Sequence, residues 1–99
     1  MAQLNYHHLR YFWAIAVEGT LTGAAQRLNV SQSALSTQLR TLEEQLGHPL
    51  FERVGKRLVL TEAGRIALDH AQSIFRIGDE LLATLRGRGP QSRAMLRVV

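Results

Sequence analysis

The segment that leaves this chain least choice of fold is a short helix followed, three residues later, by a longer amphipathic one. The first runs from about Thr22 to Leu28, with Thr22 or Thr20 as cap, and carries the small pair Ala24 and Ala25, which lets a neighbouring helix approach closely. Asn29 tolerates the left-handed conformation and opens a turn through Val30 to Ser31. Ser31 caps the second helix, whose leucines at 35, 39, 42 and 46 form one stripe before Gly47 and Pro49 stop it. Two helices so joined have the layout of a helix-turn-helix.

The flanking segments extend that unit. Asn5 caps an earlier helix with Leu4 and Leu9 at the staple positions, and Leu9, Phe12, Trp13 and Ala16 make a buried stripe that Gly19 ends. The run Tyr11-Phe12-Trp13 offers either a stacking platform for bases or a core, and its helical spacing favours the core. Beyond Pro49, Leu50 to Arg53 and Leu58 to Leu60 read as short strands around the turn Val54-Gly55-Lys56-Arg57, which makes a basic-tipped wing. Thr61 then caps a helix with no stop before Gly87, about 25 residues or roughly 37 Å long. The expected fold is mainly α: a winged helix-turn-helix of three helices and a β-hairpin over residues 1–61, followed by a long linker helix over 62–86. Residues 87–99 read as a hinge and, from Met95, the beginning of a strand with nothing to pair against, as at the front end of a longer protein.

Composition excludes several classes of function. At 99 residues the chain suits one small domain, and with no cysteine it has neither a disulfide framework nor a zinc-thiolate site. The longest apolar run, Tyr11 to Val17, is far short of the roughly 20 residues of a membrane span. Residues 1–5 lack the basic segment and apolar core of a secretory signal, so the expected location is the cytoplasm, with no membrane partner. Catalysis finds little support. His7 and His8 point to different sides of their helix, His48 and His70 stand apart, Gly55-Lys56 lacks the preceding glycines of a phosphate loop, and no G-x-S-x-G occurs. The expectation is no enzyme, no metal and no cofactor in this chain.

The formal charge of +4 is concentrated toward the C-terminal end, where Arg86, Arg88, Arg93 and Arg97 stand without an acid, so bulk charge alone is a weak argument for nucleic acid. Position is a better one. Opposite the leucine stripe of the third helix lie Ser33, Ser36, Thr37 and Arg40, with Gln32 in its first turn, whereas Glu43 and Glu44 follow where a phosphate backbone would be repelled. The N-terminal half should therefore enter a major groove. Gln32 suits an adenine edge, Ser36 and Thr37 suit bases or phosphates, a Thr methyl can touch a thymine methyl, and the amides of residues 31–33 suit a phosphate. Ser31, Thr22 and Arg27 beside this face, and Arg53, Lys56 and Arg57 of the wing, complete the candidate DNA-binding set. The rival reading is a winged-helix module whose polar face binds a protein.

The last helix carries two apolar lines. One runs Ala63, Ile66, Ala67, His70, Ile74, Ile77, Leu81 and Leu85, the other Leu68, Ala71, Phe75, Gly78 and Leu82. A helix of roughly 37 Å must project past a domain about 25 Å across, which would leave Ile77, Leu81, Leu82 and Leu85 bare in a monomer. The candidate dimerisation residues are Ile66, His70, Ile74, Ile77, Leu81 and Leu85, with His70 either a pH switch or a side chain packed at the seam. The other possible cover is a further part of that longer protein.

Asn5 to Trp13, Gly23 to Ser36, Leu42 to Gly47, Pro49 to Arg53 and Leu60 to Gly64, in that order and spacing, closely resemble the N-terminal region of LysR-type transcriptional regulators. The Tyr11-Phe12-Trp13 opening is similar to the branch containing the activator of bacterial sodium/proton antiporter genes. The resemblance implies a bacterial DNA-binding protein, a homodimer through antiparallel linker helices, possible tetramers at full length, and a C-terminal domain that takes a small-molecule or ion effector. Family positions for DNA contact fall on Gln32, Ser33, Ser36, Thr37 and Arg53. Ser33 stands where the family commonly has Pro and Thr37 where it has Arg, a loss of one potential guanine reader and one charge.

Overall fold

A computed structural model describes residues 3–87. Helix α1 (Tyr6–Glu18), α2 (Leu21–Leu28) and α3 (Gln32–Leu46) precede an antiparallel hairpin of β1 (Phe51–Val54) and β2 (Arg57–Leu60), and α4 (Glu62–Leu85) ends the order. The expected hinge and strand beyond residue 87 lie outside the described residues. Among the described residues, no helix is long and apolar enough to cross a membrane.

Local chemistry sets each boundary. Asn5 accepts from the amides of His7 and His8, Thr20 from Gly23, Ser31 from Ala34 and Thr61 from Gly64, each relieving an otherwise unpaired first-turn N–H. Gly19 and Gly47 take left-handed conformations at the ends of α1 and α3, and Asn29 does the same after α2 with φ 58°. Because Thr20 is the cap of α2, Thr22 falls inside its first turn. The hairpin loop is also tighter than the four-residue turn predicted from sequence. Val54 pairs with Arg57, leaving only Gly55 and Lys56 to turn the chain, and Gly55 takes φ 63° at the first loop position, as a type II′ turn requires.

The core forms two linked clusters. Leu9, Phe12, Leu42, Leu50, Ala71 and Phe75 fill one between α1, α3 and α4, and Ala14, Ile15, Ala24, Ala25 and Leu35 fill the other between α1, α2 and α3. Helix α1 is thus covered on two sides, which corrects the single stripe expected for it. Ala14 and Ile15 are buried, while Trp13 and Ala16 are half-buried, with Trp13 packed against both clusters. Leu46, expected to complete the stripe of α3, is instead 37% exposed because the chain turns away at Gly47.

Polar contacts join α3, the wing and α4. The Leu50 amide donates to Glu43 Oε2 at 2.7 Å, the Thr61 hydroxyl to the Pro49 carbonyl at 2.7 Å, and the Thr61 amide to the Leu50 carbonyl at 3.1 Å. A Cβ on Gly64 would collide with that same Leu50 carbonyl, so the close seating of α4 on the start of β1 needs a glycine there. Buried residues of α4 are Gly64, Ala71 and Phe75, and none lies beyond Phe75. Its last ten residues, about 15 Å of helix, therefore extend past the core.

Candidate nucleic-acid interface

The polar face of α3 is positioned by the leucines behind it. Leu35 and Leu42 are fully buried, which turns Gln32, Ser33, Thr37 and Arg40 outward; all four are exposed, and Ser36 is half-buried at the edge. Ser31 and Ser33 hydroxyl oxygens lie 3.3 Å apart, and Thr37 Oγ1 donates to the Ser33 carbonyl at 2.9 Å. At the turn between α2 and α3 a groove of about 420 Å³ is lined by Thr22, Gln26, Asn29, Val30, Ser31 and Gln32. Of the sequence-predicted residues, Thr22, Ser31 and Gln32 share this groove, Ser33, Thr37 and Arg40 are exposed along the outer side of α3, and Ser36 stands at its edge.

Three further candidates stand differently. The Arg27 guanidinium pairs with Glu18 at 2.9 Å and lies 5.0 Å above the Trp13 ring, so its charge is engaged where α2 meets α1. At this exposure the ion pair is worth about 0.2–1 kcal/mol and the cation–π contact about 0.5–1 kcal/mol, enough to orient the side chain. In the wing, Arg53 is opposite Leu58 and Arg57 is opposite Val54. Strand alternation places the two arginines on opposite faces of the hairpin. The Arg57 guanidinium lies against Gly19 at the C-terminal end of α1, whose carbonyl also accepts from the Leu58 amide at 2.9 Å. Arg53 and Lys56 are exposed near the tip.

Glu18, Trp13 and Glu43 were not singled out as partners by sequence reasoning. Their roles depend on residues 9, 14 and 7 positions away, and no local spacing signals such pairs. Glu43 in particular is half-buried and bonded to the backbone, not merely turned away from a phosphate.

The candidate dimerisation residues separate into two groups. Ile66, His70 and Ile74 line a groove of about 730 Å³ together with Leu4, Leu46 and Pro49. Ile77, Leu81 and Leu85 lie farther along, each between 57% and 60% exposed, and Leu82 beside them is 52% exposed. His70 is exposed with Nδ1 2.9 Å from the Ile66 carbonyl, a contact within its own helix. The second apolar line faces inward through Ala71 and Phe75, against which Trp13 and Tyr6 pack edge-on.

Residues 6–65 match the model of the family described as bacterial regulatory helix-turn-helix protein, lysR family. The chain belongs to the lysR family. Among curated lysR-type relatives, the RuBisCO operon transcriptional regulator of Allochromatium vinosum is 42% identical over 98 residues, covering 96% of this chain and 32% of that protein. The transcriptional activator protein NhaR of Escherichia coli is 38% identical over 82 residues, 83% of this chain and 27% of its own length. The chain thus spans between a quarter and a third of the length of these two relatives. Of solved structures, a complex of the CbnR DNA-binding domain with DNA superposes with a TM-score of 0.79 at 35% identity, covering 84% of this chain and 95% of that one. A complex of the BenM DNA-binding domain with DNA gives 0.80 at 32% identity, covering 84% and 93%. The architecture of this lysR-family chain is accordingly a winged helix-turn-helix with a long C-terminal helix, as its sequence predicts.

Proposed function

We propose that this chain is the part of a bacterial transcriptional regulator that binds duplex DNA in a sequence-specific manner and pairs with a second copy of itself. The observation that carries the reading is the outward polar face of α3, where Gln32, Ser33, Thr37 and Arg40 are exposed over fully buried leucines. A helix so held offers hydrogen-bonding groups to base edges along one side, while Arg53 and Lys56 of the wing offer charge to the backbone. Family membership and the likeness to DNA-bound domains support it. The exposed line Ile77, Leu81 and Leu85 supplies the pairing surface, and pairing sets two recognition helices on one duplex. Its activity is binding, not catalysis. A cytoplasmic location and a small-molecule or ion effector, bound by a separate C-terminal domain, complete the proposal.

The test is selection of duplexes from a random pool, followed by titration of the best site across salt concentrations. Sequence-selective affinity that falls steeply with salt is expected. Salt-insensitive capture of a protein partner, with no preference among duplexes, would replace this reading by that of a protein-interaction module.

A further inference from the structure

Thr37, on the outer face of α3, has its hydroxyl proton engaged by the helix backbone. It is exposed, four residues after Ser33 and three before Arg40, and its Oγ1 donates to the Ser33 carbonyl at 2.9 Å. A threonine hydroxyl has one proton, so this bond leaves two kinds of group for a ligand: oxygen lone pairs and the γ-methyl. Thr41 repeats the bond, to the Thr37 carbonyl at 3.0 Å, but is half-buried. The β-branch allows few rotamers in a helix, so the hydroxyl and methyl are held in place together.

Bases differ in what they offer such a side chain. In the major groove guanine presents only acceptors, N7 and O6, whereas cytosine presents an amino donor and thymine a 5-methyl group beside O4. A side chain with no free proton cannot bond a guanine edge unless it first gives up the Ser33 carbonyl. Its methyl packs on another methyl without any such exchange. We propose that Thr37 reads the 5-methyl group of a pyrimidine and rejects guanine at that position. The inference rests on the DNA-binding reading given above and narrows it at one residue.

The experiment uses the 99-residue chain and its selected duplex, with each thymine in turn replaced by deoxyuridine. One thymine per half-site should lose about fourfold in affinity on losing its methyl group, the amount expected for one buried methyl. Thr37→Val, which keeps a methyl, should retain that dependence, and Thr37→Ser, which lacks it, should bind both duplexes equally. Cytosine at the same position should bind more weakly than 5-methylcytosine, while guanine should be depleted from the selected pool. Equal affinity for thymine and deoxyuridine at every position, or enrichment of guanine that Thr37→Val abolishes, overturns the inference while leaving salt-dependent, selective binding intact. Absence of any selective duplex binding overturns both it and the reading on which it rests.

Discussion

Helices α3 and α4 are built alike and finished differently. Each starts at a hydroxyl cap, Ser31 or Thr61, and each buries an inner face, Leu35 and Leu42 in one and Ala71 and Phe75 in the other. The difference lies in what each leaves bare. On α3 the outer side carries Gln32, Ser33, Thr37 and Arg40; on α4 the large apolar side chains Ile66, Ile77, Leu81 and Leu85 stand exposed beside charged ones such as Arg76 and Asp79. The uncovered side of an amphipathic helix selects its partner. Hydrogen-bonding groups suit the patterned edge of a base pair, whereas a contiguous apolar strip suits another apolar strip.

The largest expected effect abolishes the contrast by removing what holds both helices. Phe12 is fully buried in the cluster that includes Leu42 of α3 and Phe75 of α4. Phe12→Ala should destabilise the fold by about 3 to 5 kcal/mol, read by urea denaturation. Duplex binding and self-association should decline together as the unfolded fraction grows. A loss of one with the other intact would mean that the helices do not depend on a shared core.

The next separates them. Ile77→Asp with Leu81→Asp changes only the bare side of α4, beyond its last buried residue, and should leave the monomer folded with its helical signal retained. With more than half of each side chain still exposed, pairing would recover about 1 kcal/mol or more at each of four copies. That is on the order of a thousandfold in the dimer equilibrium. Sedimentation equilibrium should find wild type dimeric at tens of micromolar and the double variant monomeric, with weaker binding to a two-half-site duplex. A monomeric wild type would exclude pairing through this strip.

The contrast itself was legible in the sequence because it rests on short-range signals. Asn5, Ser31 and Thr61 cap helices, Asn29 turns left-handed, and the 4, 3, 4 spacing of leucines from 35 to 46 defines an inner side without reference to anything distant. The locking contacts were not legible. Glu43 reaches the Leu50 amide, Arg57 lies against Gly19, and Gly64 makes room for the Leu50 carbonyl, and each depends on how separate elements meet. The same limit affected the candidate site. Arg27 reads as a free cation next to α3, yet Glu18 and Trp13 from α1 hold it. Leu46 has the period of a core residue, but it lies at a helix end that the neighbouring elements only partly cover.

A smaller effect tests the polar side of the comparison. Gln32 is exposed in the first turn of α3, where its amide can bond an adenine edge at two points. Gln32→Ala should cost about 1 to 3 kcal/mol on the best duplex and relax preference at one position, while denaturation stays unchanged. Unchanged affinity and preference would remove Gln32 from the reading face.

The smallest expected effect distinguishes the wing from α3. Arg53 is exposed on β1 opposite Leu58, on the hairpin face whose inner end carries the half-buried Phe51 and Leu60. A backbone phosphate is the same at every base pair, so a contact with one carries charge but no sequence information. Arg53→Ala should therefore weaken strong and weak duplexes by the same factor and leave the selected sequence unchanged. Each lost phosphate contact should reduce the slope of log affinity against log salt by about one, and a dimer loses two. Arg57→Ala provides the internal control. Its guanidinium lies against Gly19, so its removal should shift thermal stability more than the salt slope. If Arg57→Ala lowered the slope as much as Arg53→Ala did, both faces of the hairpin would lie within reach of the backbone, and the wing would have to enter the duplex edge-on.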